Sequence, residues 1–140
     1  MTDQEPHEAY MKAVADALTD AGLRPDRWHA EDNGGDRLDG VFVWDKHNPL
    51  TPLDLYPRGV DITWDQYNGW EYSPVNAQGM LGDFRELVDA MYAEPASVVT
   101  AARLLLERNH QQLPVRSTAE WPGANAMAHA ITAWEDALPE

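Results

Sequence analysis

The segment from Val60 to Tyr72, Val-Asp-Ile-Thr-Trp-Asp-Gln-Tyr-Asn-Gly-Trp-Glu-Tyr, constrains this chain most: two alternating apolar/polar runs flank Asn68-Gly69. Alternation at period two with a turn dipeptide between the runs predicts a β-hairpin, and a hairpin requires a sheet to cover its apolar face. The expected register has a three-residue loop, Tyr67-Asn68-Gly69, with Gly69 in the left-handed conformation of a G1 bulge. It pairs Trp64 with Tyr72 and Asp65 with Glu71, and the aromatics share one face. Slipping by one residue would move Tyr72 to the face of Asp61, Thr63 and Asp65 and undo the alternation.

The 140 residues fit one domain with a single core. Residues 116–140 read as a C-terminal helical extension of it. The chain has no cysteine, so disulfides, thiolate metal sites and a Cys nucleophile are all excluded, which suits a reducing cytoplasm. No run approaches the ~20 apolar residues needed to cross a bilayer, and no signal-like start is visible, so a cytoplasmic location is expected. With 24 acidic and 10 basic side chains the formal net charge is −14. That charge repels phosphate backbones and anionic lipid, so direct nucleic-acid and membrane binding are not expected, and a basic protein surface is the favoured partner.

Helical periodicity marks residues 6–21, where Tyr10, Val14, Ala17, Leu18 and Ala21 fall on one face. Asp3, Glu5 and Glu8 suit its positive end, Glu8 is spaced to pair with Lys12, and Gly22 followed by Leu23 ends it. Asp26 to Asp32 predicts a strand with Trp28 and Ala30 on one side. Leu38 to Trp44 predicts an interior strand, with Gly40 marking a bulge. Pro49, Pro52 and Pro57 make residues 45–59 a surface loop anchored by Leu50, Leu53 and Leu55. Asp83 with Glu86 three residues on reads as a capping box opening a short helix with Phe84, Leu87, Val88 and Met91 on one face. Pro95 opens a second, carrying Val98, Val99, Ala102, Leu105 and Leu106 up to His110. Gln111 to Arg116 reads as a linker.

The last helix begins near Pro122-Gly123 and carries Met127, Ile131, Trp134 and Leu138. Its remaining positions are largely alanine, which lets a neighbour approach closely, whether this chain's own core or a second copy in a homodimer. Glu135, Asp136 and Glu140 oppose the macrodipole there, a misfit a basic partner would relieve. The expected fold is α+β: an N-terminal helix, an antiparallel sheet of about four strands, and two to three C-terminal helices packed largely on one sheet face.

The W-D-x-x-x-G-W pattern at Trp64 to Trp70, preceded by Ala-Val-Ala-Asp-Ala-Leu at 13–18 and followed by Pro95, Val98, Val99 and Leu104-Leu105-Leu106, resembles a family of small actinobacterial domains of unknown function. The resemblance covers roughly residues 7–110 and leaves the segment after Arg116 outside. It implies a bacterial cytoplasmic protein with this α+β order, and no functional residue is carried over from it.

Signatures of chemistry are sparse. No two of His7, His29, His47, His110 and His129 stand at the i, i+4 spacing of paired metal ligands. The run Glu31 to Asp36 resembles a calcium loop, but the twelfth position from Asp32 is Val43, where a bidentate glutamate is required. Asp61, Asp65 and Glu71 share the outer hairpin face and can gather carboxylates. Phosphate-loop, dinucleotide and nucleophile-elbow motifs are absent, so no cofactor is expected. Trp28, Trp44, Trp64, Trp70 and Tyr72 are placed to share one sheet face, as a core under helices or as an open aromatic cleft. Trp70, beside the turn, is the one expected to be exposed.

These features favour a non-enzymatic, acidic binding or regulatory module, with Asp65, Trp70, Glu71, Glu135 and Asp136 as the candidate partner contacts. A nucleic-acid mimic that inhibits a DNA-binding or defence protein is the first alternative. A small enzyme or ligand-binding protein using the aromatic cleft is the second.

Overall fold

A computed structural model describes residues 5–117 and 119–138. Asp3 and Glu140, assigned above to helix-end charges, lie outside the described residues. The order is α1 (Glu8–Asp20), β1 (Arg27–Glu31), β2 (Asp39–Asp45), β3 (Gly59–Asp65), β4 (Gly69–Pro74), β5 (Arg85–Glu86), α2 (Pro95–Leu106) and α3 (Ala124–Asp136), with single 3-10 turns at Asn33–Gly35 and His110–Gln112. The strands form one antiparallel sheet in sequence order. The expected α+β architecture is therefore present, with five strands and two helices after them.

Alternation assigns the faces. Phe42, Trp44, Val60, Ile62, Trp64, Trp70 and Tyr72 project to one side, where they form a single core with Tyr10, Met11, Val14 and Leu18 of α1, Val98, Ala102 and Leu105 of α2, and Met127 and Ile131 of α3. The C-terminal helix thus shares this core. Each buried ring removes roughly 150–250 Å² from water, on the order of 4–6 kcal/mol of transfer free energy as an upper bound.

The buried indoles also satisfy their one donor. Trp44 Nε1 donates to Leu23 O at 3.2 Å, Trp64 Nε1 to Met91 O at 2.8 Å, and Trp70 Nε1 to the Tyr10 hydroxyl at 3.0 Å. The Tyr10 hydroxyl in turn donates to Ala93 O, and its ring meets Trp64, Trp70 and Trp121 at centroid distances of 6.1, 5.8 and 5.0 Å. Of the aromatic set only Trp28, on the edge strand, stays partly open at 37% exposure, with its ring stacked on Phe42.

Several local expectations change. The hairpin pairs Trp64 with Trp70, Ile62 with Tyr72 and Asp65 with Gly69, two residues from the expected register. Period two keeps the same side chains together, so the faces survive. The cause is Asp65: its Oδ1 accepts from the backbone N–H of Tyr67 and of Asn68, both at 2.8 Å, closing the turn over residues 66–68 and leaving Gly69 (φ 73°) to begin β4.

Gly40 is not a bulge, because the β1–β2–β3 ladders run through it unbroken. It faces α1, and a Cβ there would stand 2.2 Å from Met11 Sδ, so glycine permits the helix to approach. Consistent with this, the inward face of α1 carries Met11 and Ala15 beside Tyr10, Val14 and Leu18, with Ala17 only half-buried and Ala21 packed against the core just past the helix. Lys12 pairs with Asp16 at 2.8 Å rather than with Glu8. Residues 83–91 do not form a helix: β5 pairs with β4, Leu87 N donates to Trp70 O at 3.0 Å, and Val115 N donates to Leu87 O at 2.9 Å. Residues 111–116 are accordingly no free linker but a partner of this segment. Leu53 is exposed and anchors nothing, whereas Tyr56 from the same loop is buried.

Candidate functional site

On the sheet face away from the helices, β2, β3 and β4 present Asp39, Val41, Thr63, Asp65 and Glu71 by the same alternation that buries their neighbours. Residues 75–84 return beside β4, where Gly82 N donates to Ser73 Oγ at 3.3 Å, and they place Leu81 and Phe84 at the rim of a pocket of about 210 Å³ with Arg37 and Asn68. Phe84 stays 46% exposed there. Three carboxylates thus face one guanidinium. Arg37 lies 3.6 Å from Asp39, and Asn33 Nδ2 donates to the same carboxylate at 2.5 Å.

Glu71 has no hydrogen-bond partner among the described residues. It stands directly opposite Glu86 across β4–β5. Burial raises its pKa, Asp65 and Glu86 raise it further, and Arg37 opposes them. Like charges opposed across a ladder destabilise it, and a cation relieves the conflict. The pocket therefore gathers Asp39, Asp65 and Glu71 against Arg37, with Leu81 and Phe84 as apolar lining. The Thr63 hydroxyl makes no hydrogen bond to a carboxylate among the described residues. Among the same residues no group of three or more His, Asp or Glu side chains is arranged to hold a metal ion.

The predicted contact residues divide. Glu71 lines the pocket. Asp65 also lines it, but its carboxylate is occupied by the hairpin turn. Trp70 corrects the expectation of exposure: it is 0% exposed, packed between Tyr10 and Phe42, and cannot touch a partner. Glu135 and Asp136 are exposed outside the pocket, Glu135 accepting from Gln66 Nε2 at 2.9 Å. Leu81 and Phe84 were hidden from sequence reasoning, since Phe84 reads as part of a helical face and only the path of residues 75–84 brings it over the sheet.

Two further polar groups lie buried. His7, the residue before α1, is 0% exposed, stacks on Trp64 at 5.9 Å, and donates from Nε2 to Asp39 O at 2.7 Å. Burial lowers its pKa against the opposing effect of the Asp39 carbonyl and carboxylate. Asp61, on the outer face, is buried with Oδ1 unpartnered among the described residues, and burial pushes its pKa up to about 6 against Arg27 and His29.

Fold and site together define an α+β protein with an acid-lined pocket on the outer face of its sheet. No protein-family profile, no curated protein and no solved structure matches the chain. Among the described residues no helix is long and apolar enough to cross a membrane.

Proposed function

We propose that this protein is a non-enzymatic binding module whose outer sheet face receives a basic segment of a protein partner, a Lys or Arg side chain entering beside Glu71. The observation that carries this is Glu71 itself, a carboxylate without a hydrogen-bond partner among the described residues, set against Glu86 and Asp65 in a pocket rimmed by Leu81 and Phe84. An exposed aromatic next to a carboxylate suits the apolar stem and charged head of such a side chain. The net charge of −14 would steer a basic partner towards the molecule and speed encounter. A cysteine-free chain is in keeping with action in a bacterial cytoplasm.

The nucleic-acid-mimic reading has less support. A mimic needs an unbroken run of free carboxylates, whereas Arg27, His29 and Arg37 interrupt the outer face and Asp39 and Asp65 are already hydrogen-bonded.

Titration of the isotope-labelled chain with short Lys/Arg-rich peptides tests the proposal. Saturable amide shifts centred on Thr63, Glu71 and Phe84 are expected, weakening with salt and lost in the Glu71→Gln, Phe84→Ala double variant. Shifts spread evenly over the acidic surface, or equal binding by that variant, would sink it. Glu135→Gln with Asp136→Asn serves as the charge-matched control outside the pocket.

A further inference from the structure

On the opposite, helix-covered side of the same sheet edge lies a cavity of about 210 Å³ lined by Tyr56, Tyr72, Pro74, Asp83, Arg85 and His110. Its position follows from register. Tyr72 and Arg85 are direct partners across β4–β5, so both side chains project to one face, while Phe84, the residue before Arg85, lines the pocket on the other. The loop before β3 supplies Tyr56, and the 3-10 turn after α2 supplies His110. Arg108 grips Asp54 at 2.8–3.0 Å and holds that loop against the end of α2, fixing two of the walls.

The donors in this cavity stand unused. Tyr56 and Tyr72 are only 6% and 5% exposed, yet neither hydroxyl has a hydrogen-bond partner among the described residues. Neither oxygen is among the atoms sealed from solvent, and both residues line the cavity, so each hydroxyl is open to water or to a ligand there. This contrasts with the core, where Tyr10, Trp44, Trp64 and Trp70 all have partners. Buried phenols normally find one. His110 also lines the cavity, its Nδ1 sealed and unpartnered among the described residues. Arg85 adds a guanidinium, held only loosely by Asp83 at 3.4 Å.

We propose that this cavity binds a small oxyanion, a carboxylate or phosphate group, through the Tyr56 and Tyr72 hydroxyls and the Arg85 guanidinium. An oxyanion offers several lone pairs to convergent donors, and charge-assisted bonds of this kind are the stronger ones. The alternative charge is disfavoured, since a cation would meet Arg85 and find Asp83 as its one carboxylate. Phenols are protonated and donating at neutral pH in any case, and burial moves Tyr56 further from ionisation, up to about 12. The volume lies below the roughly 300–1,000 Å³ of pockets for drug-sized ligands, so the occupant is a small anion or the charged end of a larger molecule.

The test is a titration of the full chain with inorganic phosphate and, separately, acetate at constant ionic strength, followed by NMR at the Tyr, His and backbone positions. Saturable shifts confined to Tyr56, Tyr72, Arg85 and His110 are expected, and the tighter of the two anions identifies the group. Tyr72→Phe and Arg85→Gln should each weaken binding about tenfold or more, as loss of a charge-assisted bond would. Arg85 is exposed, so its variant retains the fold and decides the matter if Tyr72→Phe disturbs packing. Absence of saturable shifts up to about 100 mM of either anion, or binding untouched by both variants, overturns the proposal and leaves a cavity that holds water only.

Discussion

Asp61 and His7 are both buried, at 8% and 0% exposure, and burial disfavours the charged form of both. The consequences for stability run in opposite directions. Asp61 is raised from 3.8 to about 6, so its contribution is fully present below about pH 3.8 and is lost as pH rises through about 6. His7 is lowered from 6.5, so its contribution is present above that value and is lost as pH falls below it. Between pH 7 and pH 5 acidification therefore stabilises through Asp61, by about 1 kcal/mol, and destabilises through His7. Denaturant unfolding at the two pH values should show Asp61→Asn losing more stability on acidification than the parent chain, and His7→Phe losing less. Identical pH slopes for parent and variants would mean that neither group changes its proton affinity on folding.

The elements show where local pattern suffices. The helices α1, α2 and α3 and the strands β1 to β4 follow from periods of 3.6 and 2, because their large apolar residues recur on the side turned to the common core. Residues 83–91 do not, since Leu87 and Val88 are both buried and the chain is gripped from two sides, by Trp70 O and by Val115 N. Those partners lie 17 and 28 positions away in sequence, and no local period carries them. The site follows the same division: Glu71 was legible from strand alternation, whereas Leu81, Phe84 and the two cavities depend on the route of residues 75–85.

Hairpin register was likewise decided by a single side chain, and that is testable. Asp65→Ala removes two backbone-to-carboxylate bonds and should cost about 1–2 kcal/mol. Asp65→Asn keeps an acceptor in place and should cost clearly less. Equal losses in thermal unfolding would show that the turn is not held by that oxygen.

At the scale of the whole molecule, charge is the dominant unbalanced quantity. The 24 acidic side chains outnumber the 10 basic ones, and the ion pairs Lys12–Asp16, Arg85–Asp83, Arg103–Glu107 and Arg108–Asp54 are all solvent-exposed. Exposed pairs contribute about 0–1 kcal/mol each and weaken with salt, while repulsion among the surplus carboxylates acts over longer range and weakens too. The screening length falls from about 30 Å at 0.01 M to about 8 Å at 0.15 M, so salt removes the long-range repulsion while adjacent pairs, well inside that length, keep most of their attraction. Repulsion should therefore win the comparison, and Tm should rise by a few degrees as NaCl increases over that interval, about what 1 kcal/mol produces in a domain of this size. Partner binding on the outer face should weaken over the same interval, because there the attraction between opposite charges is what salt screens. A Tm that falls with salt would show that the ion pairs outweigh the surplus charge. It would also remove the physical ground for treating the acidic surface as unsatisfied without a basic partner.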